Sequence, residues 1–202
     1  MSADVKLINT VMPVVYGSLG RQQSDNNLLI KQFIDRGEWV DSANNVLRTD
    51  WNTHIDHSDI CGELMTQILD WYIDNVCHPT NEYDLPDIVK QGRNLDITAQ
   101  SWFQYYPKGS DSKPHEHGVI PGYSFVYYLK ADGGPPLKFL ETISKNNSIE
   151  NKGFVDFNVE DDTIVFFPMQ LVHGVDSTNT DRAVFAGNLV DVRYATEYVT
   201  ED

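Results

Sequence analysis

Beyond Leu95 the chain is written in short runs of β-branched and aromatic residues, each closed by Gly, Pro, Asn or Asp. A pattern interrupted so often cannot sustain helices of ordinary length, and it is the signature of an all-β unit. Candidate strands lie at residues 97–105, 123–129, 137–140, 154–159, 163–167 and 184–192. Gly133, Gly134, Pro135 and Pro136 make a strong break, and the polar stretch at 145–152 makes another. Consecutive strands joined by turns are expected to run antiparallel, which leads to a mainly β chain, a small sandwich or jelly-roll barrel.

The first half reads differently. Residues 5–17 form an extended, partly apolar opening, with Pro13 confining it to an edge or irregular strand. A polar stretch near 27–36 has helical potential. A firmer helix is expected at 60–76, where Ile60, Leu64, Ile68, Trp71 and Tyr72 share a face, Ser58 or Asp59 can cap the start, and Pro79 follows the end. A chain of 202 residues with 41% hydrophobic content can complete one core and would starve a second. One domain is therefore expected over 1–202, with an N-terminal strand and supporting helices packed on one sheet (1–95) and a jelly-roll core (96–195).

Thirty acidic against fifteen basic residues give a formal charge of −15, a field that repels phosphate backbones and makes nucleic acid a disfavoured partner. The two cysteines, Cys61 and Cys77, fall in one expected helix and offer no disulfide framework, which fits a reducing, cytoplasmic setting. No stretch approaches the apolar length of a bilayer span, and no signal segment is evident at the start, so a soluble, unprocessed protein is expected.

The chemistry is concentrated in the histidines. In extended backbone, residues i and i+2 point to one side, so His115 and His117 can share a metal while Glu116 points away. A third ligand from a distant strand would complete one face of an octahedron and leave positions open for a co-substrate and O₂. His173 is the candidate, closing the run Asp162-Thr-Ile-Val-Phe-Phe-Pro-Met-Gln-Leu-Val-His173. Nine residues later Arg182 opens the last good strand. Were those two strands adjacent, its guanidinium would stand just beyond the metal, where its fork can clamp a carboxylate.

These features resemble the iron(II)/2-oxoglutarate oxygenases, in particular the prolyl-hydroxylase-like branch and oxygenases of bacteria and tailed phages. The resemblance rests on Tyr106-Pro107, the His115-x-His117 pair, Gly122-Tyr-Ser-Phe-Val-Tyr-Tyr-Leu129, Phe-Phe-Pro-(x)₄-His173 and Arg182, and it covers residues 102–188. The opening Leu7-Ile-Asn-Thr-Val-Met-Pro-Val-Val-Tyr16 is similar to the first strand of the bacterial and phage group. It implies a double-stranded β-helix, Fe(II) held by His115, His117 and His173, and 2-oxoglutarate and O₂ as co-substrates. Arg182 would then receive the distal carboxylate of 2-oxoglutarate, with Tyr128 and Tyr106 hydrogen-bonding it. The implied activity is hydroxylation of a protein, peptide or small molecule, in the host cytoplasm if the chain is phage-encoded. The chain departs from most of the superfamily at His117, where Asp or Glu is usual; Glu116 and Asp176 are the nearest carboxylates otherwise available.

Competing readings remain open at this point. Tyr105 and Tyr127 stand beside Tyr106 and Tyr128 with opposite directions, so a one-residue slip of register exchanges them. His54-Ile-Asp56-His57 contains the superfamily's usual H-x-D pair, yet it lies just before a helix, where an Asp needs no metal to explain it. Gly109-(x)₅-His115-x-His117 and Pro168-(x)₄-His173 also fit parts of the cupin motif, so a cupin-type metal protein that does not use 2-oxoglutarate is the alternative. In that motif a carboxylate would be needed at Pro121 or Gly122, and neither can supply one. A catalytically silent interaction protein on the same barrel is the third reading.

Overall fold

In the computed structural model, residues 4–7, 13–40, 45–77, 97–118, 122–145 and 148–191 are described. Eleven strands and three helices follow in the order β1 (Asp4–Leu7), β2 (Pro13–Ser18), α1 (Gln23–Arg36), β3 (Leu47–Arg48), α2 (Thr53–Asp56), α3 (Ser58–Tyr72), β4 (Ile97–Tyr106), β5 (Ser112–His115), β6 (Gly122–Lys130), β7 (Leu137–Lys145), β8 (Ser148–Phe157), β9 (Thr163–Pro168), β10 (His173–Val175) and β11 (Arg182–Asp191). They form two sheets, a seven-stranded one ordered β1-β2-β9-β6-β11-β4-β3 and a four-stranded one ordered β5-β10-β7-β8. Every pairing of named strands is antiparallel.

The period of two sorts the large sheet's residues into two cores. On its outer face Phe103, Phe125, Tyr127, Phe166 and Phe185 pack with Leu29, Ile30, Phe33, Leu64, Ile68 and Trp71 from the helices. Trp71 stacks on Phe166 with ring centroids 5.4 Å apart, and Phe33 stacks on Phe103 at 4.5 Å. Each such burial contributes roughly 1.5–3 kcal/mol, so this face carries much of the fold's stability. The inner face presents Trp102, Tyr106, Val126, Tyr128, Val165, Phe167, Val184 and Ala186 toward Leu137, Phe139 and Phe157 of the smaller sheet. That second layer is where the sheets enclose space.

A polar clasp joins the large sheet to the start of α1. Asp162 adopts the left-handed conformation (φ 66°), and its carboxylate accepts the backbone N–H groups of Gly20 (2.8 Å) and Arg21 (3.1 Å), the Tyr127 hydroxyl (2.7 Å) and the Ser18 hydroxyl. It thereby fixes the approach to α1 against β6 and β9. Arg36 near the end of α1 pairs with Asp59 of α3 at 2.7 Å.

Several expected boundaries move. The opening segment is two strands, with Leu7 opposite Pro13 and residues 8–12 outside the described ones. Pro13 starts a strand flanked on both sides, a position that needs no N–H from it. Neither Ser58 nor Asp59 caps α3; His57 stands at the cap without a side-chain hydrogen bond, and Asp59 is taken by Arg36. α3 ends at Tyr72 and passes into one wide helical turn, Ile73–Cys77, while Pro79 lies outside the described residues. Instead of breaking at 145–152, the chain pairs Lys145 with Ser148 and carries β7 and β8 outward. Those residues lack apolar alternation, but the antiparallel pairing rests on backbone hydrogen bonds that do not need it.

Candidate metal centre and anion chamber

β5 and β10 are short, but their register decides the site: His173 stands directly opposite His115, with Phe139 of β7 on its other side. His117 lies two residues past His115, beyond the strand, where its backbone N–H donates to the Met169 carbonyl at 2.9 Å. That bond turns its ring back toward the pair. One ring nitrogen from each of His115, His117 and His173 lies within 4.8 Å of the other two. Among the described residues this is the one such group of three or more His, Cys, Asp or Glu side chains. The ring centroids are 4.5–5.2 Å apart.

Each ring is oriented through its Nδ1. His115 Nδ1–H donates to the Lys113 carbonyl (2.8 Å), His173 Nδ1–H to the Leu171 carbonyl (2.9 Å), and His117 Nδ1–H to the Asn188 amide oxygen (2.5 Å). Ser124 also donates to that amide oxygen at 2.9 Å. Three acceptors on three Nδ1 atoms select the tautomer whose Nε2 carries the lone pair, as in metal sites. Burial pushes the His173 pKa down to about 3, with His115 and His117 adding to the effect, and burial likewise lowers that of His117. His117 and His173 are thereby held in the neutral form that ligates a metal. This donor set fits a divalent transition metal.

Glu116 is solvent-exposed and outside the triad, and Asp176 is held by Lys138. Neither carboxylate joins the histidines. Gly122 has no room for a side chain, since a Cβ there would meet the Leu189 carbonyl at 2.6 Å.

Arg182 is not one strand over from His173, as the spacing had suggested. It opens β11 in the large sheet while β10 belongs to the small one, so the two residues face each other across the interior. An inner chamber of about 60 Å³ is lined by the three histidines, Tyr106, Tyr128 and Arg182. Arg182 is 2% exposed, its guanidinium carbon 4.5 Å over the Tyr128 ring. One Nη donates to the Pro135 carbonyl at 2.9 Å, Nε has no partner, and no carboxylate among the described residues pairs with it. The Tyr128 hydroxyl is buried too, with the Arg182 guanidinium beside it and no acceptor for its proton. A buried cation and a buried hydroxyl left in this state are costly unless a ligand completes them.

The register also separates the tyrosines. Tyr106 and Tyr128 face the chamber, whereas Tyr105 and Tyr127 point to the helix side. Tyr106 donates to the Gln104 amide oxygen at 3.1 Å, and burial pushes its pKa up to about 12. Tyr105 binds Asp181, which removes Asp181 as a partner for Arg182. In the His54-Ile-Asp56-His57 segment, His54 Nδ1 contacts the Ser101 hydroxyl (2.8 Å) and His57 Nδ1 accepts from Arg36 (2.9 Å); neither belongs to a metal-binding group among the described residues.

Two features went unread in the sequence. Asn188 shares the inner face with Arg182, Val184 and Ala186 by simple alternation, a signal that was present. Arg48 sits on a strand of only two residues, which leaves no periodic trace.

No protein-family model and no curated protein matches the chain. Solved structures do. A prolyl hydroxylase from Trichoplax adhaerens, in complex with a peptide fragment of the hypoxia-inducible factor oxygen degradation domain, aligns with TM-score 0.62 at 13% identity over 92% of this chain and 86% of that one. HygX from Streptomyces hygroscopicus, with nickel and 2-oxoglutarate bound, aligns with TM-score 0.61 at 10% identity over 88% and 82%. A viral collagen prolyl hydroxylase from Paramecium Bursaria Chlorella virus-1, in a 2-oxoglutarate complex, aligns with TM-score 0.57 at 12% identity over 87% and 94%. In architecture this chain is a double-stranded β-helix of the kind found in the prolyl hydroxylases and other 2-oxoglutarate oxygenases.

Proposed function

We propose that the chain is an iron(II)- and 2-oxoglutarate-dependent dioxygenase that hydroxylates its substrate. The observation that carries this is the buried Arg182, without an acidic partner among the described residues, lining the chamber that the three imidazoles also line. A dicarboxylate spans such a pair of sites: one end chelates a metal held by His115, His117 and His173, and the other meets Arg182. Tyr128 donates to that distal carboxylate, and Tyr106 does so once its hydroxyl turns from Gln104. A cupin that does not use 2-oxoglutarate has no need of a cation there.

When bound, iron(II) and 2-oxoglutarate supply the oxidising chemistry, one atom of O₂ entering a substrate C–H bond and the other leaving in succinate alongside CO₂. The chain's own part is to hold and orient. Lys113, Leu171 and Asn188 hold the three rings through Nδ1 and leave each Nε2 free for a metal. Phe167 and Phe139 wall the buried side of His173 against water. No helix among the described residues is long and apolar enough to cross a membrane. A reducing cytoplasm suits a ferrous site, and a peptide, protein or small molecule suits an acidic protein better than nucleic acid does.

The test is anaerobic reconstitution with iron(II), followed by 2-oxoglutarate consumption and succinate release on exposure to O₂. Wild type should turn over 2-oxoglutarate, His173→Ala should not, and Arg182→Ala should weaken co-substrate affinity. Unchanged affinity in the arginine variant would remove Arg182 from this role.

A further inference from the structure

Outside the inner chamber lies a larger cleft of about 1050 Å³, whose walls include Arg48, Trp51, Trp102, Gln104, His115 and His117. Arg48 faces Gln104 across β3 and β4, so it extends the row of inner-face residues to the cleft's outer wall. Its guanidinium carbon lies 4.1 Å over the Trp51 ring. Trp51 in turn meets the edge of Trp102 at 4.8 Å, and Trp102 lies 5.7 Å from His117. Three contacts thus lead from a cation at the rim to a metal-facing imidazole.

A stack made only for stability would leave the edges of the guanidinium in water. Here Nη1 of Arg48 is closed off from solvent and has no acceptor among the described residues. The neighbouring cation Lys113 is satisfied by Asp111 at 2.6 Å, whereas Arg48 has no ion pair among the described residues. Asp50 stands two residues away and Asp111 and Glu116 lie on the same cleft wall, yet none of the three forms an ion pair with Arg48. Trp51 is 45% exposed, leaving apolar surface beside the cation.

We propose that this cleft is the substrate site and that it takes a substrate bearing a carboxylate, bound by Arg48, with a flat or apolar body lying along Trp51 and Trp102. The assignment of substrate rests on the dioxygenase reading above; the anion site itself stands on the Arg48 geometry alone. A guanidinium already stacked on an indole loses little freedom on binding, and its fork matches a carboxylate. The carboxylate can belong to a free acid or to an acidic side chain of a peptide.

The experiment uses the full chain loaded anaerobically with manganese(II) and saturated with 2-oxoglutarate, so that Arg182 is already engaged. Phenylacetate and phenylacetamide are titrated by calorimetry and by tryptophan fluorescence. Phenylacetate should bind at least tenfold more tightly than the amide, and Arg48→Gln should reduce that ratio to less than twofold. Arg48→Lys should restore part of it, and Trp51→Phe should weaken both probes. Equal binding of acid and amide by the wild type overturns the proposal without recourse to any variant. Phenyl phosphate binding tightest overturns the carboxylate assignment. A blocked Phe-Glu dipeptide outbinding phenylacetate assigns the carboxylate to a peptide, and the reverse order to a free acid. Failure of the wild type to bind 2-oxoglutarate removes the dioxygenase reading, while the acid–amide comparison repeated without it still decides the role of Arg48.

Discussion

The Nδ1 of His117 lies 2.5 Å from the amide oxygen of Asn188, which also accepts the Ser124 hydroxyl. The other two rings are fixed by backbone carbonyls that no substitution can remove, whereas His117 is held by side chains, Asn188 first and the Ser124 hydroxyl at 3.1 Å from the same nitrogen. Asn188→Ala frees the His117 ring to rotate and to change tautomer. Loss of such a partner costs a metal site about 10- to 100-fold in affinity. Calorimetric titration of the apoprotein with cobalt(II) should show that loss with the circular dichroism unchanged, and unaltered affinity would deny Asn188 its orienting part.

Arg182 offers a sharper separation of stability from function. A buried charge without a counter-charge destabilises the fold that contains it, and replacing one by an apolar side chain of similar length is often neutral or stabilising by about 1–4 kcal/mol. Arg182→Met should therefore melt at the same temperature as wild type or higher when no ligand is present. Its 2-oxoglutarate affinity should fall by about 2–5 kcal/mol, since the ligand's carboxylate is then buried unpaired. A variant that both melts earlier and binds as before would mark Arg182 as a structural residue.

What the sequence disclosed and what it withheld divide along a physical line. Strands β4, β6, β9 and β11 were legible because the middle of each is buried on both faces, so aromatic and β-branched residues cluster there. β5 and β10 were not, since strands of four and three residues are too short to show a period. They are nonetheless the strands that bring His115 and His173 together, and the histidines were found through their chemistry and spacing instead. Which sheet Arg182 occupies could not be read from a nine-residue interval, because spacing fixes a distance along the chain and not the partner strand. The face of Tyr128 became certain only through register, with Val184 opposite it. Arg48 and Trp51 follow no periodic pattern, and their pairing exists only in three dimensions.

Cys61 gives a prediction that depends on pH. Burial, with Asp59 in a lesser role, pushes its thiol pKa up to about 12 from 9.0. At pH 8 the reactive thiolate is scarce by about four orders of magnitude, and the side chain is fully enclosed. Iodoacetamide should leave the Cys61 peptide unmodified in native protein and alkylate it after denaturation. Because the folded pKa is raised, the stability that this group confers is intact below pH 9 and is lost progressively as pH rises from 9 toward 12. Labelling of the native protein at pH 8 at the rate of a free thiol would contradict its burial.

Two glycines should respond in opposite ways to the same methyl group. Gly187 lies in β11 between β4 and β6, and a Cβ there would sit 2.2 Å from the Gln100 carbonyl and 2.6 Å from the Phe125 ring. Neither can retreat: one is sheet backbone and the other is packed beneath the helices. Overpacking of this kind costs about 3 kcal/mol, or roughly 10 °C in melting temperature for a chain of this size. The strain falls beside Asn188, so Gly187→Ala should also weaken metal binding in whatever fraction folds. Gly62 lies within α3, and its added Cβ would find only the Ser58 Cβ at 3.8 Å, an ordinary contact. Gly62→Ala should gain the usual helix preference for alanine, about 0.5–1 kcal/mol, and melt later. Thermal unfolding of the two variants side by side checks both, and a Gly187→Ala protein as stable as wild type would contradict the close approach of β4 and β11 at this position.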